Sequence, residues 1–274
     1  VQLAGTALGN LIIGKTGNSS TININSPIAV SDDISIYSGE LTVNNNITSN
    51  NSGSDVLFNS SNITINAPIT TSGTSTVTIN SSGNVIVGIN GSFVGKIIST
   101  NLLLTGNGNF NLDSTTNNVS IISAGSNASR LGSLNFTNSN ALVVGSVGSN
   151  SGIYTIGTIA ISTLTGDLSV SQNINTQNTS MTALILNASQ STAAGVSSGG
   201  DLKFSGGASI TIGANAMAKL YSGSISGSTG LTTITGSGSN RFRYNSDESN
   251  SNYSLSLGTG TVSYTHLRAH ETIN

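Results

Sequence analysis

Cysteine is absent from the 274 residues, which excludes a disulfide scaffold and thiolate metal sites. Tryptophan is absent too, proline occurs twice and aromatics make up 4%. Charged residues are 7%, against about 25% in an ordinary soluble domain. The good helix formers Glu, Lys and Arg are therefore too scarce to cover exposed helix faces. Net charge is −2 with no basic stripe, so nucleic acid is not an expected partner. No apolar run approaches the ~20 residues that a bilayer-spanning helix needs. The chain begins at Val1, with neither Met nor a secretory leader, and reads as an internal fragment.

What is present is Val, Ile, Thr, Asn, Ser and 33 Gly. Disorder normally combines low hydrophobicity with high net charge. Here hydrophobic residues are 35% and net charge is small, which suits a chain that buries apolar rows. Those rows repeat. Ile22-Asn23-Ile24-Asn25-Ser26-Pro27-Ile28 returns as Leu41-Thr42-Val43-Asn44-Asn45-Asn46-Ile47 and as Ile63-Thr64-Ile65-Asn66-Ala67-Pro68-Ile69. Val85-Ile86-Val87-Gly88 continues the series, and Leu168-Ser169-Val170-Ser171-Gln172-Asn173-Ile174 reads as a later copy. A second strand signal lies between copies, at Ile34-Ser35-Ile36, Val56-Leu57-Phe58 and Val77-Thr78-Ile79.

Period-2 alternation over such short runs predicts strands. Asn and Gly accept the left-handed conformation that tight corners need. A unit of about 20–22 residues cannot bury its own apolar face, so it must stack on the next. The predicted fold is all-β: a parallel β-helix, or β-solenoid, right-handed by the crossover rule. Equivalent side chains then lie ~4.8 Å apart in columns. Like charges in a column repel, which accounts for the missing charge, and Asn can stack into hydrogen-bonded ladders. About twelve coils give a rod of roughly 55–60 Å. The expected core is Leu41, Val43, Ile47, Val56, Phe58, Ile63, Ile65, Ile69, Val77, Ile79, Val85 and Val87. Stretches 194–200 and 223–230 read as longer corners.

Residues 1–239 form the predicted repeat region. Residues 240–261, with Arg241-Phe242-Arg243-Tyr244 and Asp247-Glu248, differ in texture and read as an end or capping segment. Residues 262–272 closely resemble the translation of a transposase adapter used in DNA library preparation, so 262–274 is read as a non-native tail. The natural chain then runs on past Thr261. Both histidines, His266 and His270, lie in that tail.

The repeats at 22–28, 41–47, 63–69 and 168–174 resemble filamentous-haemagglutinin-type adhesins of Gram-negative bacteria, in texture over most of 1–240. The resemblance implies export through an outer-membrane secretion pore, folding outside the cell into a right-handed β-helix, and presentation at the bacterial surface as a long stalk. It also implies host or neighbouring-cell glycans or proteins as partners.

Several motifs carry a chemical reading and a simpler one. Gly9-Asn10-Leu11-Ile12-Ile13-Gly14-Lys15-Thr16 satisfies a phosphate-binding-loop pattern, but such a loop needs a helix after it, and Leu-Ile-Ile reads as strand. Asp32-Asp33 and Asp247-Glu248 are adjacent carboxylate pairs whose neighbours point to opposite faces of a strand, so corner roles fit better than paired acid–base work. A groove gathering Asp55, Asp113 or Lys96 would suit a polysaccharide lyase or hydrolase, and nothing in the spacing requires one. Gly199-Gly200-Asp201 is a fragment of a calcium-binding repeat. Thr74-Ser75-Thr76-Val77-Thr78 hints at a threonine array without recurring in register. Asn46, Asn59 and Asn62 are glycosylation sequons of the kind this composition produces.

No catalytic, cofactor-binding or metal-ligating residue is expected, and no cofactor. The expected function is a non-enzymatic structural and adhesive stalk. A β-helix polysaccharide lyase or hydrolase is the alternative, and a matrix fibre that self-associates end to end is a third reading. Titration with ATP and Mg²⁺ is expected to give no binding; saturable binding lost on Lys15→Ala would restore the phosphate-loop reading.

Overall fold

The computed structural model describes residues 9–196, 198–236, 241–251, 253–254 and 257–266. One parallel sheet of 24 strands winds as a β-solenoid of about 11 turns. Among the described residues the one helix is the five-residue Leu231–Thr235. Its Ile234 packs against the core beside Phe204 and Ala208. No described helix is long and apolar enough to cross a membrane.

The repeat spacing is the register of the sheet. Ile22 pairs with Leu41, Leu41 with Ile63, and Ile63 with Val85. Ile34 pairs with Val56, 22 residues on, and Val56 with Val77. The pleat then dictates the core, because alternate residues of every strand face inward. One column runs Leu11, Ile34, Val56, Val77, Leu102, Ile122, Val144, Val170 and Phe204. A second runs Leu41, Ile63, Val85, Phe110, Leu134, Ile159, Leu184 and Ala218. Of the twelve expected core residues, eleven are at most 1% exposed. Val87 is the exception and is only partly buried. Immediately after it the chain leaves the coil as an antiparallel hairpin, Ile89–Asn90 with Phe93–Val94, which opens that edge of the core.

Three features differ from the sequence reading. The Leu168–Ile174 copy belongs to another face. Val170 stacks on Val144 and Ile122, in the column of Ile34, while the Leu41 column continues through Leu134, Ile159 and Leu184. Every face uses the same alternation, so the motif marks a strand–corner–strand unit without saying which. Coils also lengthen along the rod: Leu168 pairs with Leu202 and Leu184 with Ala218, each 34 residues on, because the Ser- and Gly-rich stretches bulge out of the coil. Longer coils make fewer turns than the expected twelve, so the rod is nearer 50 Å at ~4.8 Å per turn. Like charges, finally, do stack. Asp33 and Asp55 directly precede the paired Ile34 and Val56 on successive rungs.

Two interior corners are polar and fully satisfied. Asn117 and Asn138 are fully buried. The Asn138 Oδ1 accepts from Val119 N at 2.8 Å, and its Nδ2 donates to the Val119, Asn140 and Ala141 carbonyls. A fully buried amide would be costly without these bonds. At Gly106, φ is +91°, and a Cβ would overlap the Ser81 carbonyl of the coil below, so glycine is required there.

Phe58 is wholly buried between Ile36 and Ile79. Phe58→Ala is expected to cost about 3–5 kcal/mol, read from urea unfolding. The loss of hydrogen-exchange protection should stay within the neighbouring coils, because coils contact only their neighbours.

Candidate functional site

The outer faces carry neutral amide and hydroxyl ladders. Asn44 Nδ2 donates to Asn25 Oδ1 at 2.9 Å, and Asn66 Nδ2 to Asn44 Oδ1 at 2.9 Å. Asn80 bonds to Asn59, and Thr105 continues that ladder through Asn80 Oδ1. Asn135 Nδ2 donates to Asn111 Oδ1 at 2.7 Å. A shallow polar cleft of about 610 Å³ runs along one such face, lined by Asn18, Tyr37, Glu40, Asn59, Asn62 and Asn80 among others. The sequons Asn59 and Asn62 belong to this surface, and Asn62 Oδ1 is occupied by the backbone N–H of Asn84.

Four of the ten acidic residues share a structural task. Asp33 accepts from the N–H of Asp55 at 2.8 Å, and Asp55 from the N–H of Thr76 at 2.7 Å. Asp167 accepts from Asp201 N at 2.9 Å, and Asp201 from Ser224 N at 2.8 Å. Asn173 does the same for Ser209. In each case the side chain caps the first backbone donor of the next coil, which lets carboxylates stack without repelling unopposed. Such a charge-assisted bond is stronger than a neutral one. The signal was in the sequence: Asp or Asn directly before the first inward residue of a strand, as in Asp33-Ile34, Asp55-Val56, Asp167-Leu168 and Asp201-Leu202.

Lys203 lies 2.5 Å from Asp167. Burial alone would raise the Asp167 pKa, but the Lys203 hydrogen bond, the Asp201 N–H and the Lys203 charge outweigh it and hold it below the ordinary carboxylate value. The same bond and charge raise Lys203. Asp247 is also lowered: burial is overcome by the N–H groups of Ala194, Asn250 and Ser249.

The motifs set apart in the sequence resolve as follows. Asn10–Gly14 is a strand, and a turn at Lys15 follows it instead of a helix. Asp33 and Asp247 serve corners. Asp55, Asp113 and Lys96 do not come together: Asp113 lines a groove of about 480 Å³ with Asn187, Lys219, Tyr221 and Glu248, and neither Asp55 nor Lys96 lines it. Asp201 is engaged with Ser224, and among the described residues no three His, Cys, Asp or Glu side chains gather as a metal site. Thr78 has Leu57 and Leu103 as its column neighbours, so no threonine array forms. His270 lies outside the described residues.

The groove around Asp113 brings together four ionisable groups, Asp113, Lys219, Tyr221 and Glu248. Glu248 reaches it by returning from the far end of the chain to bond the amide of Asn187. Burial raises the Tyr221 phenol well above its ordinary value, reinforced by Tyr264, Glu248 and Asp247. A phenol is protonated at neutral pH in any case, and this shift makes Tyr221 harder still to ionise. No family model, curated protein or solved structure matches the chain, so its reading rests on this geometry.

The lowered carboxylates contribute to the acid limb of stability. Their contribution is complete above the unfolded value of about 4 and is lost as pH falls through the lower folded values. Asp167→Asn together with Asp247→Asn is expected to flatten the decline of thermal midpoint below about pH 4. An unchanged acid limb would show that other groups carry it.

Proposed function

We propose that this chain is a segment of the structural and adhesive stalk of a large secreted bacterial surface protein, and that it performs no catalysis. The observation that carries the reading is the pairing of a rigid rod with side-chain ladders. A continuous apolar core stiffens the rod along its length. Its flanks carry ladders of uncharged amides and hydroxyls over two or three successive rungs, as in Asn25, Asn44 and Asn66. Such a surface offers many equivalent weak hydrogen-bonding contacts at ~4.8 Å intervals. Contacts of that kind gain strength through multivalency. Glycans and protein surfaces at a host or neighbouring cell fit this chemistry, and export through an outer-membrane pore fits the resemblance in the repeats.

One observation favours a second reading, a polysaccharide lyase or hydrolase: Asp113, Lys219 and Glu248 share a lateral groove. The engagement of Glu248 with Asn187 weighs against it.

The test couples the chain at high density to beads and measures retention on glycan-coated and cell surfaces, beside a turnover screen on pectin, alginate and glycosaminoglycans. Retention ~10²-fold above that of the free monomer, with no turnover, is expected. Turnover lost on Asp113→Asn or Glu248→Gln would replace the stalk reading with the enzymatic one.

A further inference from the structure

The last rungs of the solenoid are out of chain order. Strand Met217–Ser222 pairs with Gly260–Thr265, and Gly260–Thr265 pairs on its other side with Phe242–Tyr244. The later strand thus lies between two earlier ones. In a solenoid each coil rests on the one before it, and sequential strands usually neighbour each other. The step from Met217 to Gly260 is 43 residues, the longest between paired strands described.

The intervening strand also fits its place poorly. Ser263 stacks on the core residue Leu220, and Thr265 on Ser222. The hydroxyls of Ser263 and Thr265 and both ring nitrogens of the fully buried His266 have no hydrogen-bond partner. Unpartnered buried polar atoms are rare in native interiors, and each is destabilising. Elsewhere in the rod the inward amides of Asn117 and Asn138 are fully bonded, and the unpartnered buried oxygens of Asn46, Asn187 and Thr235 are scattered singly, not gathered on one strand. Residues 262–265 are also the part of this strand that resembles translated adapter.

Phe242–Tyr244 is a better match for the same edge. Phe242, Arg243 and Tyr244 follow Leu220, Tyr221 and Ser222 by 22 residues, the interval that separates Ile34 from Val56 and Leu41 from Ile63. The two strands already share a register through the strand between them: Leu220, Ser263 and Phe242 lie in one column, and Tyr221, Tyr264 and Arg243 in the next. Removing the middle strand leaves that register intact. Phe242 would then extend the apolar column Phe136, Ile161, Leu186 and Leu220 in place of a serine. Arg243, whose guanidinium now stands 4.4 Å over the Tyr253 ring, would lie beside the Tyr221 ring now covered by Tyr264 at 4.9 Å, an alternative cation–π partner.

We propose that the Met217–Ser222 edge is the docking edge for Phe242–Tyr244 of this same chain, and that Gly260–Thr265 occupies it as a displaceable inserted strand. When the inserted strand leaves, Phe242–Tyr244 descends one rung and the solenoid continues in chain order.

Cysteine crosslinking in the full chain tests this, because the protein has no cysteine of its own. Tyr221→Cys/Arg243→Cys places thiols two rungs apart at present, roughly 9–10 Å between Cα atoms, beyond the ~7 Å limit for a disulfide. In the proposed arrangement they are one rung apart, within reach. Adding Ser263→Pro/Tyr264→Pro removes ladder donors, including the Ser263 N–H to Arg241, and ejects the inserted strand. The proline-bearing chain is expected to crosslink on mild oxidation and to keep Met217–Ser222 protected from hydrogen exchange. Tyr221→Cys/Tyr264→Cys, without prolines, is the positive control for oxidation of adjacent rungs. Crosslinking of the 221/243 pair in the proline-free chain as well would mean that the exchange is spontaneous, and supports the proposal. No crosslink in the proline-bearing chain, or loss of protection at Met217–Ser222, would overturn it.

Discussion

Residues in the parallel strands of this protein rest on their equivalents one coil away, and that vertical registration governs the rest. A parallel ladder spaces successive rungs at ~4.8 Å, so a side chain's nearest neighbours are its counterparts above and below. Ile over Val over Leu packs into a continuous dry column, as in Ile34, Val56, Val77 and Leu102. Asn over Asn forms a ladder of amide bonds. The composition follows from the same constraint, because only residues that tolerate their own kind as neighbours can recur at every turn. Repeated Asp is tolerated where its carboxylate accepts the next coil's N–H, as at Asp33 and Asp55.

Registration also shapes what the surface offers. A flank built from repeated Asn, Ser and Thr presents one kind of contact many times, which suits avidity better than a single deep pocket. The lateral groove holding Asp113, Lys219 and Glu248 departs from that uniformity. It arises where the coils are longest and where the chain folds back from Asp247 and Glu248 onto Ala194 and Asn187. The unpartnered polar atoms of Ser263, Thr265 and His266 lie toward that same end of the rod.

How far the fold was legible depends on position along the chain. From Ile22 to Val87 the alternation and the 22-residue interval identify inward residues almost one by one, because each coil there is short and its corners are tight. Beyond Lys96 the interval loosens, and Leu168–Val170 looks like the Leu41 unit while stacking on another face. A repeat motif records the local pleat and corner; which column it joins depends on how many residues bulge out between coils. The two small hairpins, at Ile89–Val94 and Ser146–Ser151, carry no distinctive composition and went unforeseen. The caps at Asp33, Asp55, Asp167 and Asp201 were legible as Asp before an inward apolar residue, yet their purpose is visible only when the next coil's N–H is in place.

The sequence by itself determined that this chain winds as a β-solenoid with an apolar interior and a nearly uncharged exterior, because period-2 alternation repeated at a fixed interval has few other ways to bury its apolar face. Tertiary structure alone decided which faces the later strands join, which carboxylates share a groove, and that Gly260–Thr265 lies between Met217–Ser222 and Phe242–Tyr244. Those outcomes turn on pairing between strands tens of residues apart. A strand edge accepts any extended segment that can complete its ladder, and the pattern within that segment does not say which edge it will meet.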